Sequence, residues 1–318
     1  MKLIINIPAY NEADTIGKTI KNLPRTFDGI TEVLIQVIDD GSRDGTAKIA
    51  REAGADIVVS HTINRRLGIS FNTAVESALE NDVDIMVNID ADGQFDSSEI
   101  PSLLKPILDG AADMTVGDRF KQGSADGIPV IKNTLNKLGA KIVGIFLNKN
   151  IDDLTCGFRA HNRETLLRLN KVGGFTYTQE TIIDAIGKNL KITWVPISVK
   201  YFKGRQSRIV KSVWKFVSNS AKIIIKAMRD VRPMKFFGIP GIIIVLASII
   251  TFIIFLILYI PELQITPYRN HLMASIVLFL VGTQLLIFAL IADMIKSNRQ
   301  LTEDTMYQIK KQKYGRKK

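Results

Sequence analysis

The chain has 318 residues, enough for one full-size catalytic domain and a smaller additional part. Its single cysteine, Cys156, excludes an internal disulfide, and with only three histidines no zinc cluster is visible in the sequence. The net charge is +11, but segments 203–235 and 310–318 carry +9 and +6, which leaves −4 on the rest of the chain. Because both basic segments flank apolar runs, the charge points to a membrane surface and not to nucleic acid.

The first 200 residues alternate strand and helix patterns, which predicts an α/β domain with a mainly parallel sheet. The predicted strands are Leu3–Ile7, Glu32–Ile38, Asp56–Val59, Asp84–Ile89 and Met114–Val116. The helical stretches between them are Ala13–Leu23, Thr46–Ala53, Phe71–Glu80 and Glu99–Leu108. The first apolar run is too short for a signal peptide, so we expect this domain in the cytoplasm.

Polar segments follow three of these strands, at the sheet edge where open α/β sheets bind ligands. They are Pro8–Glu12, Asp39–Gly45 and Asp90–Gln94. Asp90 and Asp92 close a buried strand, so both carboxylates emerge together. Hard cations favour such oxygen ligands together with substrate phosphate. We therefore predict a Mn²⁺ or Mg²⁺ site at Asp90, Asp92 and Gln94.

In order and spacing, these three motifs resemble the family 2 inverting glycosyltransferases of the GT-A fold, over roughly residues 1–208. Three further segments resemble elements of the dolichyl- and undecaprenyl-phosphate sugar synthases: Val116–Phe120, Asp152–Arg159 and Arg205–Arg208. Some positions depart from the family pattern. Thr155-Cys156 replaces the usual serine, Arg205 often is glycine, and the glycine-rich stretch after the third strand is reduced to residues 65–70. The donor base and sugar therefore stay open.

The resemblance implies a role for each matched residue. The donor would contact Pro8, Tyr10, Glu12, Ile38 and Asp40 through its base and ribose, and Asp90, Ala91, Asp92 and Gln94 through its metal-bound diphosphate. Arg119 would face the acceptor phosphate, and Arg205 and Arg208 would neutralise phosphates. The expected catalytic residues are Asp92, Arg119 and Asp153, with Asp153 either a general base or a structural residue of the acceptor loop.

The last third of the chain is typical of a membrane protein. Segment 209–235 is a basic amphipathic helix, expected at the membrane interface although a docking helix of the catalytic domain is an alternative. Residues 236–293 contain two uncharged runs, about 236–260 and 272–292, each long enough to cross a bilayer. With the basic tail 294–318, the pattern predicts a hairpin with both termini and the catalytic domain cytoplasmic. The expected location is the cell membrane, or the endoplasmic reticulum membrane in a eukaryote, as a multi-pass protein.

Together these observations predict transfer of a sugar from a GDP- or UDP-sugar to a polyprenyl phosphate, dolichyl or undecaprenyl. The alternative is a family 2 membrane glycosyltransferase with a carbohydrate hydroxyl acceptor. The processive members of that group carry Gln-x-x-Arg-Trp, and neither Trp194 nor Trp214 follows an arginine. A nucleotide-dependent oxidoreductase is disfavoured because no Gly-x-Gly-x-x-Gly follows the first strand. A non-catalytic scaffold is disfavoured by the intact acidic motif and Arg119.

Overall fold

The computed structural model describes residues 1–121, 130–169, 177–200 and 213–315. The chain divides into two compact units. The first contains Met1–Ile224 together with Thr305–Lys318, and the second contains Ile225–Asp304. The catalytic motifs of the sequence all fall in the first unit. The sequence assigned 294–318 to one separate tail, whereas in the structure its residues from Thr305 onward group with the first unit.

The first unit is built on a seven-stranded sheet in the order β3-β2-β1-β4-β6-β5-β7. The strands are β1 (Lys2–Ala9), β2 (Glu32–Asp39), β3 (Ile57–Ser60), β4 (Ile85–Asn88), β5 (Met114–Asp118), β6 (Arg159–Asn162) and β7 (Ile192–Pro196). Every neighbouring pair is parallel except the two that involve β6, which runs antiparallel to both β4 and β5. Parallel strands bring the carboxyl ends of β1, β2 and β4 to one edge of the sheet.

Helices connect the strands of the sheet. They are α1 (Ala13–Lys21), α2 (Thr46–Glu52), α3 (Leu67–Glu80), α4 (Ile100–Leu108), α5 (Val130–Leu147), α6 (Arg163–Arg168) and α7 (Thr178–Gly187), and a further helix, α8 (Val213–Val231), follows β7. Helix α3 packs on β1 and β2 through Phe71, Ala74 and Val75, which belong to one buried cluster with Ile4 and Ile38. Burial of this apolar face of α3 stabilises the sheet on which the candidate site is built.

The α/β class with a mainly parallel sheet, predicted from the sequence, is confirmed. The five predicted strands and four predicted helices are present with ends that differ by a few residues. The prediction missed β6 and β7. It therefore also missed that β6 lies between β4 and β5 and runs antiparallel to both. Strand β6 has the sequence Arg-Ala-His-Asn, in which no apolar alternation indicates a strand.

The sheet interior contains a chain of polar side chains. Gln36 donates to Asn6, Asn6 donates to Asn88, and Asn88 donates to the hydroxyl of Tyr177. Tyr177 in turn donates to the carbonyl of Gly157 over 3.1 Å. All four side chains are buried, where unpaired amides would be costly. The chain of hydrogen bonds therefore ties the strands to the loop that precedes β6.

The last turns of the chain pack on the first unit. Tyr307 donates to Glu164, Lys310 donates to the carbonyl of Leu169 over 2.8 Å, and Arg163 donates to the carbonyl of Tyr314. The rings of Tyr307 and Tyr314 pack against the buried cluster beneath α3. Residues 305–314 are therefore part of the fold of this unit, and we call them the C-terminal strap.

The second unit contains two long apolar helices, α9 (Ile239–Glu262) and α10 (Arg269–Tyr314), of which α10 extends beyond the unit. Both are long and apolar enough to cross a membrane. They cross closely at glycines: a Cβ on Gly282 would lie 2.9 Å from the nitrogen of Val245 and 3.2 Å from the carbonyl oxygen of Gly241. Small residues at such a crossing are typical of helices that associate in lipid.

Candidate active site

The loops that follow β1 and β2 are joined by hydrogen bonds. The backbone nitrogen of Asn11 donates to Ser42 over 2.8 Å, and that of Glu12 donates to Thr46 over 2.9 Å. The Asp44 carboxylate accepts from the nitrogens of Ala13 and Thr46. These bonds fix the two motifs against each other, so the first and second polar segments form one wall of the site.

Asp40 holds a third segment against this wall. One of its carboxylate oxygens lies 2.7 Å from His61 Nδ1 and accepts from the nitrogen of Arg65, while the other accepts from the nitrogen of Arg66. Gly41 has a φ of +75°, and a Cβ there would lie 2.5 Å from the backbone of Ile63. The close approach therefore requires glycine at this position. Asp40 is buried and occupied in shaping this loop, in addition to any contact with a donor.

The remaining residues predicted to bind the base and ribose are placed differently from one another. Tyr10 is exposed at the end of β1, and Pro8 and Glu12 are partly exposed beside it. Ile38 differs from the expectation. Its side chain is fully buried in the cluster beneath α3, so only its backbone is left to contact a ligand.

The acidic motif follows β4. Thr19 donates to the carbonyl of Ala91 over 3.0 Å, and the nitrogen of Gln94 donates to Asp92 over 3.0 Å. The carbonyl of Gln94 accepts from the nitrogen of Lys200. Gly93 has a φ of +70°, which allows the tight turn between the carboxylates and Gln94. The motif is thus held on both sides by backbone and hydroxyl contacts.

Burial raises the pKa of Asp90 to about 7, and the negative charges of Asp92 and Glu12 act in the same direction. Arg119 and Arg159 oppose the shift. A carboxylate that is costly to ionise because it is buried, and further because another stands beside it, fits a cation site, since a divalent ion would compensate the negative charge. The described residues contain no cluster of three or more His, Cys, Asp or Glu side chains, so a bound ion would take further oxygens from Gln94, water or substrate phosphate.

Arg119 and Asp153 form a buried pair next to this motif. The guanidinium of Arg119 donates from Nε and Nη2 to the two carboxylate oxygens at 2.6 and 2.9 Å, and Nη2 also donates to Thr155 at 2.7 Å. Asp153 is fully buried and accepts in addition from the nitrogens of Thr155 and Cys156. Burial disfavours its charge, but the Arg119 charge and these hydrogen bonds outweigh burial and hold the pKa of Asp153 below its usual value. The pair fixes the planar guanidinium in one orientation.

Arg159 ends the segment Asp152–Arg159 that the sequence singled out as an acceptor loop, but in the structure its side chain lies in the interior. It is fully buried and donates to the carbonyls of Cys156 and Thr178 at 2.6 and 2.8 Å. Its guanidinium also lies over the ring of Tyr177. Gly157 of the same loop is so close to Asp90 that a Cβ would lie 3.1 Å from a carboxylate oxygen. Arg159 therefore supports the loop that contacts the acidic motif.

A cavity of about 930 Å³ is lined by chain neighbours of Arg119 and Asp153, although not by those two residues themselves. Asp118 and Asp152, the chain neighbours of the pair, lie on its wall together with Phe120. Four lysines also line it, and we call it the basic cavity: Lys121, Lys137, Lys141 and Lys149. The amine of Lys137 lies 5.4 Å from the centre of the Phe120 ring, a cation–π distance.

An apolar stripe runs along α5, the helix that forms one side of the basic cavity. Leu138, Ile142 and Ile145 follow one another at helical spacing and are exposed by 51%, 49% and 68%. This helix and its lysines were not predicted from the sequence, although the spacing of these three residues indicates an amphipathic face. The segment with Arg205 and Arg208 lies outside the described residues, so their predicted roles stay predictions.

The family model for glycosyl transferase family 2 matches residues 4–169, which contain all the polar segments described above except 205–208. The chain belongs to glycosyltransferase family 2. This confirms the resemblance drawn from the three ordered motifs.

Two curated relatives of this glycosyltransferase come from Haloferax volcanii. Glycosyltransferase AglJ is 29% identical over 306 residues, which is 91% of this chain and 92% of the relative. A dolichyl-phosphate hexose transferase is 30% identical over 196 residues, 61% of this chain and 81% of the relative. The match to AglJ extends across nearly the full length of both chains.

Among solved structures, the family 2 enzyme is similar to glucosyl-3-phosphoglycerate synthase from Mycobacterium tuberculosis, crystallised with Mn²⁺, UDP-glucose and phosphoglyceric acid. The TM-score is 0.57 at 20% identity, covering 71% of this chain and 79% of that chain. At this identity the likeness establishes the fold, and it confirms the GT-A-like α/β architecture expected from the sequence.

Proposed function

We propose that this glycosyltransferase moves a sugar from a nucleoside diphosphate donor to the phosphate of a polyprenyl lipid, at the cytoplasmic face of a membrane. The observation that carries the proposal is the basic cavity, lined by chain neighbours of Arg119 and Asp153, with the exposed apolar stripe of α5 next to it. A lipid phosphate requires a cationic site for its headgroup and an apolar surface for its chain. A soluble sugar acceptor requires neither. The dolichyl-phosphate hexose transferase among the relatives supports the same acceptor class.

Two long apolar helices support membrane insertion as a hairpin. The basic residues before α9 and at the end of the chain favour the cytoplasm for both flanks. In this arrangement the catalytic unit works at the membrane surface, where the reactive end of a polyprenyl phosphate is confined.

The donor diphosphate would lie at the acidic motif, where Asp90, Asp92 and Gln94 offer oxygens to Mn²⁺ or Mg²⁺. When bound, such an ion supplies positive charge to the departing nucleoside diphosphate. The wall made by the loops after β1 and β2 would hold the base and ribose, with Tyr10 exposed and Glu12 partly exposed there.

The reaction needs no strong base. An oxygen of the lipid phosphate attacks the anomeric carbon, a carbon–oxygen bond forms, and the bond to the donor diphosphate breaks with its electron pair going to the diphosphate. A phosphate monoester has a second pKa of about 6 and is therefore largely ionised near neutral pH. Arg119, fixed by Asp153, would orient this nucleophile, and orientation is a major source of rate in such reactions. Asp153 is therefore assigned as a positioning residue for Arg119.

The test is sugar transfer into an organic-extractable product by the full-length enzyme, with a panel of GDP- and UDP-sugars. Polyprenyl phosphate and the matching free polyprenol serve as competing acceptors. We expect transfer only to the phosphate. Lys137→Ala and Lys141→Ala should raise KM for polyprenyl phosphate and leave KM for the donor unchanged. The matched control is Lys105→Ala, an exposed lysine that pairs with Asp109 on α4. Equal transfer to the free alcohol would contradict the proposal.

A further inference from the structure

Gln284 is a polar side chain in the middle of an apolar helix. It belongs to the uncharged run 272–292 of α10, where it is exposed and has no hydrogen-bond partner among the described residues. The neighbouring hydroxyls are paired. Ser248 donates to the carbonyl of Ser275 over 2.9 Å, and Thr283 donates to that of Phe279 over 2.8 Å. The Gln284 carboxamide therefore differs from these polar groups of the second unit.

If α10 crosses a bilayer as proposed above, this carboxamide lies near the centre of the hydrocarbon. Gln284 is two residues from the midpoint of the uncharged run, or roughly 3 Å along the helix axis. Either interface is about 15 Å from the centre of a hydrocarbon layer of about 30 Å, farther than a glutamine side chain extends. An amide without a partner in that environment costs free energy, so a partner within the membrane is favoured.

Helix α9 does not supply this partner. The face of α10 that packs on α9 carries its buried small residues: Ser275, Gly282 and Ala289. At about 100° per residue, Gln284 lies roughly 200° around the helix from Gly282 and so points away from α9. The partner must come from outside the hairpin.

The residues around Gln284 form a continuous exposed stripe, which we call the Gln284 face. Its members alternate in steps of four and three residues: Val277, Val281, Gln284, Phe288 and Ile291. The four apolar members are exposed by 44% to 54%. This spacing is the one that lets parallel helices pack along a common seam, with one polar residue setting the register.

We propose that the Gln284 face is a dimer interface that pairs with the same face of a second copy of this chain. Both copies insert in the same direction, so their α10 helices are parallel and identical residues lie at the same depth. A two-fold axis along the membrane normal then brings the two carboxamides together. Each carboxamide has donors and an acceptor, so the pair can exchange hydrogen bonds and satisfy itself. This self-complementarity selects a second copy over an unrelated partner.

The first test measures association of the full-length protein in vesicles by single-molecule photobleaching over a range of protein densities. An interhelical hydrogen bond in a membrane is worth about 0.6 to 2 kcal/mol, so Gln284→Leu should raise the dissociation constant about three- to thirty-fold. Gln284→Asn, which keeps the amide, should remain close to wild type. Thr283→Val is the matched control, since its hydroxyl is already paired within the helix. Unchanged sugar transfer by the monomeric variant will show that it is folded.

The second test is oxidative cross-linking of single cysteines, for which the fully buried Cys156 gives a low background. Val277→Cys and Ile291→Cys should cross-link between copies. Phe279→Cys and Leu290→Cys, exposed on the other side of α10, should not. Equal cross-linking at all four positions, a monomeric wild type at every density, or association unaffected by Gln284→Leu would overturn the dimer. Release of the protein from membranes by alkaline carbonate would instead refute membrane insertion.

Discussion

Replacing Asp153 by asparagine separates a positioning residue from a general base. Asparagine keeps the shape of the side chain, and its oxygen can still accept from Arg119 Nη2 and from the nitrogens of Thr155 and Cys156. Its amide nitrogen, however, would face Arg119 Nε, the donor that now makes the 2.6 Å contact. The substitution therefore removes one charge-assisted bond and the negative charge, and leaves the remaining contacts available.

The expected loss of stability is large and the expected loss of rate is small. Breaking a buried ion pair by removing one partner costs about 3–5 kcal/mol, and the retained hydrogen bonds should place Asp153→Asn near about 3 kcal/mol. A general base, by contrast, contributes about 10²- to 10⁴-fold to the rate. If Asp153 only positions Arg119, we expect kcat to fall less than about tenfold. Arg119→Ala should lose at least about 10²-fold, because it removes the donor itself.

The assay is transfer to polyprenyl phosphate by full-length protein, below the temperature at which each variant unfolds in detergent. The dependence of kcat/KM on pH is the second measurement. Its acidic limb should be the same in wild type and Asp153→Asn. If the folded Asp153→Asn protein loses 10³-fold or more in kcat, and the acidic limb of its pH dependence is also lost, then Asp153 is the general base and does not act only by positioning Arg119.

Three further predictions concern the metal, the sheet interior and the membrane topology. EDTA should abolish transfer and Mn²⁺ or Mg²⁺ should restore it, and Asp92→Ala should lose most activity while still folded; full activity in chelator would exclude the metal site. Burial lowers the pKa of His161 from 6.5 to about 3, so below pH 6.5 only the unfolded chain takes up its proton. Denaturant titration should therefore show wild type losing about 1.4 kcal/mol of stability per pH unit between about pH 6 and pH 4 relative to His161→Leu, and equal slopes would contradict this. Cysteines placed at Thr266 and Gly315 should label from the outside and the inside of the membrane respectively, and labelling of both from one side would contradict the hairpin.

The sequence predicted those strands that are apolar runs of strand length with a polar motif directly after them. Strands β1, β2 and β4 are short apolar runs followed by polar motifs, and their order placed the motifs at one sheet edge. Strand β6 was missed because it is stabilised by its neighbours: Arg159 and His161 are buried in it, although neither residue type favours burial. Tertiary packing there overrides local pattern.

The sequence predicted which residues belong to the candidate site, but it did not predict which of them contact one another. The sequence identified Arg119 and Asp153 separately, and their separation of 34 positions gave no sign that they pair. Its prediction that Ile38 contacts the donor stays a prediction, and since the strand alternation turns that side chain into the core, such a contact would be made by the backbone. The basic cavity was missed because its lysines come from α5 and from the loops on either side of it, and only folding brings them together.

The C-terminal strap has a consequence for producing the enzyme in water-soluble form. A fragment cut at the end of the sequence-defined catalytic domain, near residue 208, would lack Tyr307 and Tyr314. The apolar cluster that these rings cover would then be uncovered, and Glu164 and the carbonyl of Leu169 would lose their hydrogen-bond donors. Newly exposed apolar surface favours aggregation. A soluble version should therefore replace the two apolar helices by a linker and keep residues 305–314 attached.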